Sequence, residues 1–399
     1  MSDLTLESKY RIESIDMLRG IVMIIMALDH VRDFFHADAY TDDPLNLATT
    51  TPILFFTRWV THLCAPTFVF LSGVSIYLQS LRKTRNELST FVIKRGLWLI
   101  VFECTVMAFI ANFDPAFHVI PLVVIWAIGI SMVILGMLIR LPYQVILVVG
   151  MTIVLGHNAL DAVESSAGFQ AGFFLDLMHS GAFKPYTFAP GHSIFIIYPF
   201  LPWTGLMIMG YCAGVFFTSS YKPETRKKIT LGIGLGLITS FIILRLINSY
   251  GDPFPWTSQS NPLKTFFAFM KVHKYPPSLM FMAVTIGISF ILLSVLERVR
   301  NGLTTVTTVF GRTALFYYAL HFLVMHIALM MLFFIQGKYT VQEAVDAKTP
   351  FLFVIPGEGF SLGVVYAIWV TLVLSLYPIC RWYDRYKRNH KEKWWLSYL

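Results

Sequence analysis

The sequence predicts an all-α, polytopic transmembrane helical bundle of about ten helices with both termini in the cytoplasm. Three observations predict it. Of 399 residues, 56% are hydrophobic and only 14% charged, where a soluble domain carries about a quarter charged. Mean hydropathy is +0.64. The apolar residues, 35 phenylalanines among them, fall in runs of roughly twenty, the length that crosses about 30 Å of hydrocarbon.

The apolar runs place helices at Ile15–Phe35, Ile53–Gln79, Phe91–Asn112, Ile120–Ile139, Tyr143–Leu160, Ile194–Phe217, Ile229–Ile247, Ser278–Leu296, Thr305–Phe334 and Ser361–Trp382. Residues 1–14 read as a cytoplasmic N-terminus, 15–382 as the bundle and 383–399 as a basic cytoplasmic tail, all one domain. No polar stretch is long enough for a soluble domain. The first apolar run lacks a small-residue cleavage site, so it reads as a retained helix. Between the seventh and eighth helices, Leu263 to Val272 is amphipathic, as a segment lying on a membrane surface is.

Charge supplies the orientation. With the N-terminus inside, 20 Lys and Arg residues fall on the cytoplasmic side, from Lys9 and Arg11 through Lys94, Arg95 and Lys228 to the tail. Six fall outside: Lys184, Lys264, Lys271, Lys274, Lys338 and Lys348. That is a strong positive-inside bias. The acidic loop Asp38, Asp42 and Asp43 then faces outward. A net charge of +8 distributed as topology signals implies a lipid bilayer as partner and no nucleic acid. The four cysteines, Cys64, Cys104, Cys212 and Cys380, show no metal-ligand spacing and no disulfide framework, so no metal is expected. Gly232, Gly234 and Gly236, with Gly210 and Gly214, read as helix-packing positions.

The chemistry concentrates in the first helix, which ends Asp29-His-Val-Arg-Asp-Phe-Phe-His36. At about 100° per residue, Ile21, Ile24, Leu28 and Phe35 share a lipid-facing arc, and Asp29, Asp33 and His36 share another face. Arg19 and His30 point within about 20° of each other and lie roughly 16 Å apart along the axis. An ionisable residue at mid-bilayer costs on the order of 2.5–3.5 kcal/mol, so such groups face the bundle interior and mark function. The plainer alternative is that Asp29, Arg32 and Asp33 neutralise one another.

Further helices add candidates. Arg58 and His62, four residues apart, share one face just before Pro66, either at a polar site or at a kink with a packed histidine. Tyr198-Pro-Phe-Leu-Pro-Trp203 puts two prolines within one turn of the sixth helix, and broken backbone in a membrane lines a cavity. Tyr317 and His321 share a face of the ninth helix, with Arg312 at its cytoplasmic end. Glu103 stands mid-helix with no partner that the sequence assigns.

As a set, these residues resemble a family. Ser14-Ile-Asp-Met-Leu-Arg-Gly, Leu28-Asp-His-Val-Arg-Asp-Phe-Phe, His62-Leu-Cys-Ala-Pro-Thr-Phe-Val-Phe-Leu-Ser-Gly73, Tyr198-Pro to Trp203-Thr-Gly, Lys274-Tyr-Pro-Pro-Ser278 and Gly311-Arg-Thr-Ala-Leu-Phe-Tyr-Tyr-Ala-Leu-His321 resemble bacterial membrane proteins related to heparan-α-glucosaminide N-acetyltransferase. Arg19-Gly20 followed ten residues later by His30 is also similar to inner-membrane O-acyltransferases that decorate surface polysaccharides. The resemblance implies a multi-pass acyltransferase of the bacterial cytoplasmic (inner) membrane. It would use acyl-CoA (acetyl-CoA) as co-substrate with no permanently bound cofactor, and a glycan or small-molecule acceptor on the far side. It leaves a homodimer open. The O-acyltransferases point to His30 as the essential histidine. Heparan-α-glucosaminide N-acetyltransferase itself, through its Phe-x-His-Ala context, points to His36.

The residues suit that chemistry in their own right, since acyl transfer needs a base for the acceptor or a nucleophile to hold the acyl group. The expectation is His30 as base, oriented by Asp29 or Asp33, with His36 its rival. Arg32 and His62 stabilise the oxyanion or position the acceptor together with Arg58. Trp203, Tyr317 and His321 line the pocket, and Arg19 and Arg312 meet the donor phosphates. A small-molecule or lipid transporter with a charged cavity is the alternative, though no inverted repeat is visible. A non-catalytic sensor or scaffold is a third.

Overall fold

A computed structural model describes residues 12–166, 168–181 and 183–397. Lys9 and Arg11, two of the inside charges, lie outside the described residues. In chain order the main helices are α1 (Glu13–Phe35), α2 (Pro52–Thr61), α3 (Cys64–Ser80), α4 (Arg85–Phe102), α5 (Val124–Leu138), α6 (Tyr143–Gly156), α7 (Phe200–Ala213), α8 (Pro223–Ile247), α9 (Pro262–Met270), α10 (Leu279–Leu296), α11 (Gly302–Arg312), α12 (Ala314–Gln336) and α13 (Leu362–Asn389). The chain is mostly helical. Among the described residues, seven helical stretches are long and apolar enough to cross a membrane: Pro52–Ser80, Tyr143–Glu164, Phe200–Phe217, Pro223–Ile247, Leu279–Leu296, Ala314–Gln336 and Leu362–Asn389. α5 is apolar but shorter. α1 and α4 are long enough but carry more charge than a span facing lipid.

How α1 keeps its charges follows from its place. It packs against α2, α3, α10, α11, α12 and α13, so it is the bundle's inner helix. The expected lipid-facing arc is therefore corrected: Leu28 and Phe35 are buried, and Ile21 and Ile24 are half-buried. The indole of Trp369 donates to the Ile24 carbonyl at 2.8 Å. The closest crossing is with α11. A Cβ at Gly20 would lie 1.7 Å from the Thr307 carbonyl oxygen, and one at Gly311 would lie 1.9 Å from that of Asp16. Only glycine lets these backbones touch. By contrast, Gly232 and Gly236 face open space, so of the three α8 glycines only Gly234 is a packing position.

Several expected helices are broken or trimmed. The second divides at His62 and Leu63, which places Pro66 in the first turn of α3, where its missing N–H is not needed. The ninth divides at Thr313 (φ −112°, ψ 27°) into α11 and α12. The sixth starts at Phe200 rather than Ile194: Pro199 is its N-cap and Pro202 lies in its first turn, so the prolines begin a helix instead of breaking one.

The residues expected to start the fourth and sixth helices form a small sheet, which corrects the all-α expectation. β1 (Val119–Leu122) runs parallel to β3 (His192–Ile196), and β2 (Pro185–Ala189) pairs antiparallel with β3. Short apolar runs such as Val-Ile-Pro-Leu fit either period. The turn between β2 and β3 carries Pro190 and Gly191, the latter at φ +76°.

The segment between α8 and α10 is pinned in place. Buried Arg245 donates to the carbonyls of Phe269 (2.9 Å), Ala268 (3.0 Å) and Lys271 (2.5 Å), the C-terminal end of α9. Asp252 accepts from the His273 amide and the Ser278 hydroxyl, each at 2.9 Å. α9 fits the amphipathic reading of Leu263 to Val272. Its Phe267 stacks on Phe55 with centroids 4.1 Å apart, while Leu263 and Phe266 are exposed.

Candidate active site

The C-terminal half of α1 carries two polar arrays back to back. In the first, Arg32 donates to Asp29 at 3.0 Å and to Asp33 at 2.6 Å, and Arg58 from α2 takes the other oxygen of Asp29. Two carboxylates and two guanidiniums thus balance in charge, with Arg58 added to the three residues of the plainer alternative. A buried ion is tolerated only with such partners.

The second array contains His30. Its Nδ1 lies 2.8 Å from His321 Nε2, and His321 Nδ1 lies 2.9 Å from the carbonyl oxygen of Tyr317. A carbonyl only accepts, so His321 carries its proton on Nδ1 and its Nε2 accepts from His30 Nδ1–H. His30 Nε2 is left with its lone pair. The residue bound to the His30 ring is therefore His321 and not a carboxylate, because both oxygens of Asp29 are engaged by arginines. Phe322 packs on His30 with centroids 4.2 Å apart, and Tyr318 meets it edge-on at 6.3 Å.

Two cavities meet here. The larger, about 590 Å³, runs from Asp29, His30, Arg32, Asp33 and His36 past Arg58 to the loop Asp38–Pro44. The narrower, about 160 Å³, follows α1 from Arg19 through Met23 and Met26 to Asp29 and His30. Both are bordered by His30, Tyr198, Lys274 and Tyr318. Lys274 is buried, with Nζ 5.0 Å from the centre of the Tyr275 ring. Burial pushes the Tyr275 phenol up, but Lys274 and Arg58 beside it outweigh that and hold it below its ordinary value.

The structure brings together only some of the expected residues. Asp29, His30, Arg32, Asp33, His36 and Arg58 border the larger cavity, and Arg19 the narrower one. His36 ends α1 and accepts from the Asp38 amide at 3.3 Å. His62, Trp203, Tyr317 and His321 border neither cavity. His62, buried at the end of α2, packs on Phe281, with centroids 5.3 Å apart. Trp203 backs Tyr198 at 5.3 Å, and the Tyr317 ring stacks beneath His321 at 5.2 Å. At the other end of α1, Arg19 donates to Ser75 (2.9 Å) and Asp16 (3.2 Å). Arg312 lies 3.7 Å from the second oxygen of Asp16 and 4.0 Å from Asp384.

Sequence reasoning gave no role to Lys274, Tyr198, Tyr275, Tyr318 or Glu103, all of which border the larger cavity. A signal was present, since Tyr198 and Lys274 begin two of the motifs that carry the resemblance. A separate grouping was not foreseen at all: Asp161, Glu164 and His179 hold ligand-type atoms within 4.8 Å of one another. His179 donates to Glu164 at 2.8 Å and accepts from His157 at 3.1 Å, and Asp161 accepts from Asn158 at 2.7 Å, all away from both cavities.

A family model described as "Heparan-alpha-glucosaminide N-acetyltransferase, catalytic" matches residues 11–241, more than half of the chain. The chain belongs to this family. No match was found among curated proteins. The matched region runs from the start of α1 to α8 and holds His30, the four-member ion network and the sheet. Lys274, Tyr318 and His321 lie beyond it, and the fold returns them to the site. With its apolar helices and this family, the chain is a multi-pass membrane protein of the acetyltransferase kind.

Proposed function

We propose that the chain transfers an acetyl group from cytoplasmic acetyl-CoA to an amine or hydroxyl of a sugar-like acceptor on the far side of a bacterial inner membrane. Both termini, and the Arg19 end of α1, lie in the cytoplasm in this reading. One observation carries it: two cavities approach along α1 from opposite ends and meet at His30. Arg19 and His30 are about 16 Å apart along the helix, so the narrower cavity suits a thin acyl-pantetheine arm and the wider one an acceptor. Arg19, at the far end of the narrower cavity, would meet the nucleotide phosphates, together with Arg312, which shares Asp16 with it. The family supports the reading by the activity in its name.

In the reaction, the acceptor nitrogen or oxygen attacks the thioester carbonyl while His30 Nε2 takes its proton. His321 holds the His30 ring through Nδ1. The negative charge that develops on the carbonyl oxygen is met by Lys274 and Arg58, fixed cations at the junction. The C–S bond then breaks, and the thiolate leaves with the proton from His30. His36, at the outer end of the wide cavity, is placed to bind the acceptor rather than to take this proton.

The test is acetyl-CoA consumption by the purified protein with His30→Ala and His36→Ala. The expected result is loss in the first and a raised acceptor KM in the second. Full activity in His30→Ala would overturn the assignment.

A further inference from the structure

Of the two polar side chains that Lys274-Tyr-Pro-Pro-Ser278 brings to the larger cavity, Lys274 has a part in the reaction and Tyr275 as yet has none. The segment is held at both ends. Asp252 accepts from the His273 amide and the Ser278 hydroxyl, and the His273 ring donates to the Tyr275 carbonyl at 2.7 Å. The Tyr275 ring is held too, edge-on to Tyr198 with centroids 5.2 Å apart and to Phe183 at 5.5 Å. Its hydroxyl therefore has a fixed place.

That place is the junction of the cavities. Tyr198 and Lys274 both hydrogen-bond the hydroxyl, and both border the two cavities, as His30 and Tyr318 do. A phenol oxygen has two lone pairs and one proton. An ammonium only donates, so Lys274 takes one lone pair. Lys274 and Arg58 make Tyr275 the better acceptor of the two phenols, so Tyr198 donates to the other. What Tyr275 has left to offer is its own O–H, strengthened as a donor because the oxygen already accepts twice. An ammonium draws an oxyanion as a point charge with rotatable donors. A phenol fixed by its ring gives one directed bond.

We infer that Tyr275 is a catalytic residue whose O–H donates a hydrogen bond to the thioester carbonyl oxygen as that oxygen becomes negative. It joins Lys274 and Arg58 there and supplies the direction that charge alone does not. The phenol keeps its proton throughout, and the proton of the acceptor still travels by His30. Tyr198 is a positioning residue that holds the hydroxyl in line. The inference rests on the acetyl-transfer reading.

The test is acetyl-CoA consumption by the full chain in detergent, with D-glucosamine as the acceptor probe, for the parent and Tyr275→Phe. Phenylalanine keeps both edge-on ring contacts, so a loss belongs to the hydroxyl. The kcat should fall about 10²-fold, as when one oxyanion donor is removed, with the acetyl-CoA KM within about threefold. A kcat within about threefold of the parent overturns the role and leaves the acetyl-transfer reading standing. No consumption by the parent removes that reading and the role with it.

The pH profile is a readout that a packing role would not move. The groups facing the hydroxyl are Lys274 on its own segment, Arg58 from α2, Tyr198 ahead of α7 and Tyr318 of α12. The two cations hold the phenol below its ordinary 10.0. The donor is lost when that proton leaves, so kcat of the parent should fall on an alkaline limb that begins below pH 10. In Tyr275→Phe the limb should move to higher pH. Tyr198→Phe keeps the Tyr275 hydroxyl but removes one donor to it, so its limb should also move up, with a smaller loss of kcat. A limb in Tyr198→Phe that stays where the parent has it overturns the role, even if Tyr275→Phe does not fold.

Discussion

His30 Nδ1 lies 2.8 Å from His321 Nε2, and the Tyr317 carbonyl, 2.9 Å beyond, fixes which ring carries the shared proton. The relation makes His321 a positioning residue, buried and out of reach of substrate, whose effect is to keep the lone pair of His30 on Nε2.

That chain of donors orders three substitutions. His30→Ala should lower kcat by about 10²–10⁴-fold, the usual contribution of a positioned base. His321→Ala should cost about 10–100-fold, because the base remains but its tautomer is no longer fixed. Tyr317→Phe should stay within about twofold, since the carbonyl does the holding and the hydroxyl is buried without a partner. Acetyl-CoA consumption checks all three; a Tyr317→Phe loss as deep as that of His321→Ala would show that the hydroxyl, not the carbonyl, acts.

The ion network also yields a prediction for stability. Asp29→Asn strips Arg58 of its carboxylate and leaves Arg32 with Asp33 alone. Removing one partner of a buried pair costs about 3–5 kcal/mol. Adding Arg58→Met should restore much of it, because the unpaired charge has gone too. Chemical unfolding in detergent reads both. A double variant no more stable than the single would mean that Asp29 acts on something besides Arg58.

These two arrays also show what sequence could and could not convey. The charges of α1 announce themselves because lipid excludes them, so composition and period pointed to the helix that borders both cavities. Period also put Arg19 and His30 on one face, where the narrower cavity runs. Which charge pairs with which depends on contacts between distant segments. Arg58 reaches Asp29 across 29 positions and His321 reaches His30 across 291, and no local pattern encodes either. His62 meets Phe281, again a contact between distant segments that no local pattern encodes. The sheet escaped notice because four apolar residues have no distinguishable period. Lys274 escaped because a loop lysine outside a helix reads as solvated until Arg245 and Asp252 are seen to pin its segment inward.

The glycines separate tight packing from open surface. Gly20→Ala would drive a methyl to 1.7 Å from the Thr307 carbonyl, which only a shift of α1 against α11 could relieve. Overpacking of this kind costs about 1–3 kcal/mol or more. Gly232→Ala meets nothing within 4 Å and should stabilise α8 by about 0.5–1 kcal/mol through helix propensity. Melting temperatures of the two variants should therefore move in opposite directions, and movement in the same direction would place the α1–α11 contact elsewhere.

His273 precedes Lys274 in the pinned segment and supplies a pH dependence with a definite sign. Burial lowers its pKa below the ordinary 6.5, against the opposing pull of Asp252, the Tyr275 carbonyl and Asp161. The ring donates from Nε2 to that carbonyl at 2.7 Å. A folded chain that resists protonation here loses stability when the unfolded chain accepts a proton. The contribution is therefore complete above pH 6.5 and declines as pH falls below it. His273→Gln keeps a donor for the carbonyl and removes the titration. Its melting temperature should fall less than that of the parent between about pH 6.5 and 5. If Lys274 depends on this ring for its place at the cavity junction, acetyl-CoA turnover should follow the same curve in the parent and flatten in the variant. Parallel melting curves for the two proteins would assign the acid sensitivity to other groups.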